Sequence, residues 1–127
     1  MKEEYKRRML DTMSKCLIMG MPVQEVIYRS TVTPAQAIRR PALGNLNVGA
    51  EADVTVHRHL QGAFSYRDCG WARMDGDDRL ECALTLRAGR VVWDRDARTV
   101  PLWETADEDY WEVTEVPVAI RRQWRKD

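Results

Sequence analysis

The chain has 127 residues, 44% of them hydrophobic and 31% charged, which suits one hydrophobic core and argues against intrinsic disorder. Lys plus Arg and Asp plus Glu both number 20, and this zero net charge argues against nucleic acid as the main partner, because phosphate binding wants a clear basic excess. The start, MKEEYKRRML, is too charged for a signal peptide, and no apolar run approaches the roughly 20 residues needed to cross a bilayer.

The first third reads as helical. Tyr5, Met9, Met13 and Leu17 recur every four residues, with Leu10 and Cys16 widening the stripe, so one helix face is apolar. Lys2, Glu3, Lys6, Arg7 and Lys15 supply the polar surface, and Gly20 is placed to end the helix in a left-handed C-cap. Pro22 suits the first turn of a second helix whose apolar face is Val23, Val26 and Ile27. A third, short helix is expected from Thr33. Its hydroxyl caps, Pro34 takes the first helical position, and Gln36 completes a capping box, with Arg39, Arg40 and Pro41 ending the helix.

From Leu43 the period changes. Gly44 and Gly49 punctuate a turn-rich stretch, and Val54 and Val56 then alternate with Thr55 and His57 as in a strand. Phe64 and Tyr66 suggest another strand, and Asp75-Gly76 a turn after it. Leu80, Cys82, Leu84 and Leu86 alternate with Glu81, Thr85 and Arg87, and Ala88-Gly89 turns the chain into Val91, Val92 and Trp93, so 80–93 reads as a β-hairpin. Trp71, Trp93 and Met74 are expected to pack the sheet. In the tail, Trp103, Trp111 and Trp124 stand among Glu104, Asp107, Glu108, Asp109, Glu112 and Glu115, followed by Arg121, Arg122, Arg125 and Lys126. This reads as a solvated charged tail, with a docking tail as the alternative.

Little in the chain carries chemistry. His57-x-His59 places two imidazoles on one strand face, where they can share a zinc ion, but zinc needs three or four ligands and no further histidine exists. Only Asp53, Asp68 and Cys69 lie near in sequence, and two surface histidines are the expectation. Ser14, Ser30 and Ser65 lack a nucleophile context. Asp75, Asp77 and Asp78 around Gly76 lack the spacing of a calcium loop and read as a polar turn. Cys16, Cys69 and Cys82 form no C-x-x-C pair and suit a reducing cytoplasm, with Cys16 expected in the core.

Three stretches in order resemble the end of an amidohydrolase-superfamily enzyme: DTMSKCLIMGMPVQEVIYRSTVTPAQAI at 11–38, LGNLNVGAEADVTV at 43–56 and LTLRAGRVVWD at 84–94. The first is similar to the last helices of that family's (β/α)8 barrel. The second resembles the segment that leaves the barrel for a small β-sandwich, and the third the sandwich's closing hairpin. The resemblance covers about residues 11–103. The Thr-Met-Ser-Lys start and the F-x-Y stretch are most similar to the amidohydrolase/deacetylase branch, relatives of dihydroorotase and D-aminoacylase.

The resemblance implies an α+β fold: terminal barrel helices at 1–42, sandwich strands at 43–94 and a charged, Trp-containing tail at 95–127. It implies a parent that hydrolyses amide or ester bonds with zinc, because a bound divalent metal lowers the pKa of its water to about 7. The family's ligands are a His-x-His on the first barrel strand, a bridging lysine or acidic ligand, two later histidines and an aspartate on the last strand. All of them fall upstream of what this chain resembles. Asp11 lies just past that last strand and is not assigned, and His57-x-His59 matches the first motif in letters only.

The expectation is therefore no catalytic, cofactor-binding or metal residue in this chain, and zinc only in the full-length family. A whole barrel takes about 250 residues, more than this chain has. The expected partners are a separate N-terminal catalytic half or a second copy, with neither nucleic acid nor membrane. The alternative is a stand-alone interaction module of the same ancestry.

Overall fold

Apolar spacing of three and four residues creates the first helix. In the computed structural model, which describes residues 8–106, α1 spans Met9–Ile18. Met13 and Leu17 are buried on its inner face, whereas Met9, expected in the same stripe, is exposed; Tyr5 lies outside the described residues. Gly20 closes the helix at φ 95°. Its N–H donates to the Leu17 carbonyl at 2.8 Å and the Met21 N–H to the Cys16 carbonyl at 3.1 Å, the paired bonds of a Schellman ending.

Helix α2 spans Val23–Ser30 behind Pro22 and buries Val26, with Val23 and Ile27 packed alongside. Helix α3, Val32–Ala37, starts two residues before Pro34, the expected first helical position. The expected Thr33 cap does not form. Because α2 runs to Ser30, only Thr31 separates the helices, and Thr33 already lies inside α3. The Thr31 hydroxyl donates back to the Ile27 carbonyl at 2.8 Å. Arg39 ends α3 in the left-handed region at φ 57°, with its N–H on the Gln36 carbonyl and the Arg40 N–H on that of Ala35.

The two strands expected around Val54 and Phe64 are one: β1 runs unbroken through Val54–Arg67, with Gly62 inside it. Strand β2, Arg73–Arg87, contains Asp75-Gly76, so the turn expected there is strand instead. The glycine answers to packing: a Cβ at position 76 would collide with Ile18 Cγ2 of α1. The turn falls at Asp68–Ala72. There the Asp68 carboxylate accepts the N–H groups of Gly70 and Ala72 at 2.8 and 2.9 Å, while Trp71 adopts φ 67°.

Strand β3, Arg90–Asp94, pairs antiparallel with β2 as expected for the 80–93 hairpin. Ala88 and Gly89 both have positive φ, 48° and 75°, which a type I′ turn requires. Leu84 faces Asp94 and Arg87 faces Arg90, and the register shifts between Thr85 and Leu86, a bulge in the ladder. The architecture is thus α+β, helices followed by a three-stranded antiparallel sheet in the order β1-β2-β3.

The chain divides into two units, and β1 and β2 each contribute residues to both. The first comprises described residues up to Glu51 together with His57–Cys82, and its core is Met13, Leu17, Val26 and Leu80. Leu10, Cys16 and Met21 flank this core, in accord with the expectation for Cys16. The second comprises Ala52–Val56 and the described residues from Ala83 onward. None of its described residues is buried; Val56, Val91, Val92, Trp93, Val100, Leu102 and Trp103 are exposed. Trp71, Trp93 and Met74 do not pack the sheet as expected. Trp71 sits in the turn under the Arg67 guanidinium, 4.2 Å from its ring centre, and Trp93 lies on an edge strand. Trp111, Trp124 and the charged run from Asp107 fall outside the described residues.

Candidate functional site

The polar side chains that the fold gathers most closely lie on β1 and β2 within the first unit. Strand periodicity puts His57, His59 and Gln61 on one face of β1. His59 Nε2 lies 2.5 Å from Asp78 Oδ1, and the Gln61 amide donates to that same oxygen. Gln61 Nε2 is also 3.3 Å from His59 Nε2. Asp78 is further tied through its backbone, whose carbonyl accepts the Tyr66 hydroxyl at 2.7 Å. The calcium-like triplet is therefore dispersed along a strand rather than a polar turn. Asp78 serves His59, while Asp75 accepts the Ser65 hydroxyl at 2.6 Å and pairs with Arg73 at 3.2 Å.

His57 differs from its neighbour. Its Nδ1 is buried with no hydrogen-bond partner among the described residues, and burial lowers its pKa from the usual imidazole value. Burial therefore disfavours the charged imidazolium. The other residues near in sequence are used elsewhere. The Asp53 carboxylate accepts the Ala88 N–H at 2.8 Å, Asp68 holds the 68–72 turn, and Cys69 is exposed; Cys16, Cys69 and Cys82 form no disulfide. Asp11, left unassigned, is half-buried in the first turn of α1.

Zinc fits this set poorly. Among the described residues no group of three or more His, Cys, Asp or Glu side chains is placed to hold a metal ion. The nearest approach to one, His59 with Asp78, has its ring nitrogen and carboxylate oxygen engaged with each other. A shallow groove of about 300 Å³ lies beside Ala63, Phe64, Ser65, Arg73, Asp75 and Gly76. Its charged groups, Arg73 and Asp75, pair with one another. Chemically, the arrangement is a hydrogen-bonded sheet surface.

Ser14 is the residue whose role the sequence concealed. It is 1% exposed; its Oγ donates to the Leu10 carbonyl at 2.7 Å and accepts the Leu80 N–H at 2.9 Å. Serine on the apolar side of an amphipathic helix was the available signal. The role is structural: it supplies an acceptor to a buried strand amide.

No protein-family model matches the chain, and no curated protein matches it. Six solved chains are similar to it. One is the crystal structure of an adenine deaminase, with a TM-score of 0.63 and 22% identity over 67% of this chain. The match spans 23% of the adenine deaminase, less than a quarter of its length. No helix among the described residues is long and apolar enough to cross a membrane. At this identity the likeness establishes the fold: helices followed by an antiparallel sheet, as found within a much longer enzyme.

Proposed function

We propose that these residues form the C-terminal portion of an amidohydrolase-superfamily metallohydrolase, with the metal ligands and catalytic groups supplied by residues outside the 127. In this reading 1–42 are the terminal barrel helices, 43–94 strands of the accompanying β-sandwich, and 95–127 a charged tail. The observation that carries it is that a likeness in sequence and a likeness in fold point the same way. The stretches at 11–38, 43–56 and 84–94 resemble that superfamily in chain order, and the fold is similar to part of an adenine deaminase, itself a superfamily member.

Two features of the chain support a supporting role rather than a catalytic one. The only imidazoles, His57 and His59, sit on a sheet face, one with an orphaned buried nitrogen and the other bound to Asp78. The second unit has no buried described residue, as expected of a sheet segment built to be completed by further chain. The parent activity is hydrolysis of a C–N or ester bond, in the amidohydrolase/deacetylase branch, and the complementing partner is an N-terminal catalytic half.

The test is turnover by the purified chain, with added zinc, against amide, ester and aminopurine substrates. Activity at background level is expected. Zinc-dependent turnover that disappears in the His57→Ala/His59→Ala variant contradicts the proposal.

A further inference from the structure

We draw no further inference here: the strongest candidate, the exposed apolar strip Val91, Val92 and Trp93 on the bulged edge strand β3, carries nothing because the structure does not show what covers it.

Discussion

Ser14 on α1 and Leu80 on β2 are joined by a buried hydrogen bond of 2.9 Å, in which the serine hydroxyl accepts the strand amide. Leu80 itself belongs to the core with Met13, Leu17 and Val26. The bond therefore fixes the strand at the point where its side chain enters the helix layer, and it satisfies an N–H that packing has removed from water.

Ser14→Ala removes the acceptor and leaves the Leu80 amide buried and unpaired. The expected loss is about 1–3 kcal/mol of unfolding free energy, read as a lower urea midpoint at unchanged slope. An unchanged midpoint would show that water replaces the hydroxyl and that the helix–strand tie is dispensable.

Gly76 and Ile18 form a second contact between the same elements. A methyl at position 76 meets Ile18 Cγ2 and Cβ, atoms close to the helix backbone that cannot swing away as a flexible tip can. Gly76→Ala should cost roughly 1–3 kcal/mol through overpacking. Combining it with Ile18→Ala should cost less than the sum of the two single changes, and strict additivity in a double-mutant cycle would refute the clash.

Ala88 occupies a left-handed position that asparagine and glycine tolerate better. Ala88→Asn creates the Asn-Gly sequence favoured in type I′ turns and keeps the backbone N–H that Asp53 accepts. A gain of several tenths of a kcal/mol, on the order of 0.5, is expected in thermal unfolding. A loss would mean that the turn is held open by something other than its dihedral preference.

The orphaned His57 gives a pH dependence with a definite sign. Its folded pKa lies below its unfolded value, near 6.5, so the unfolded chain takes up the proton more readily. Stability is then full above about pH 6.5 and declines as pH falls from there towards the folded pKa. His57→Phe removes the buried unpaired nitrogen and should flatten this part of the curve relative to the wild type. His59 and the carboxylates are common to both proteins and cancel in the difference. A parallel pair of stability curves between pH 5 and 7 would remove His57 from the account.

Local signals were legible where a residue's role is set by its near neighbours. Met13, Leu17 and Val26 declared their faces by helical spacing, Gly20 its cap, and Ala88-Gly89 its turn. Misreadings arose where a residue answers to a distant partner. Asp75-Gly76 has turn chemistry, yet Gly76 is small because Ile18 packs over it. Thr33 has capping chemistry, but α2 extends far enough to displace the start of α3. The His59–Asp78 pair depends on the hairpin turning at 68–72 and was hidden once the turn was expected at 75–76. The separation of His57 and His59 into different environments was likewise invisible, since period-two spacing places both on one face and says nothing of what each ring meets.

If these residues are the C-terminal portion proposed above, the metal ligands lie outside them and the chain holds no zinc of its own. Elemental analysis of zinc in the purified protein, after mild chelation, re-addition and desalting, tests it most directly. Near-zero zinc per chain is expected, the same for wild type and the His57→Ala/His59→Ala variant. One tightly held zinc per chain, lost in that variant, would contradict it.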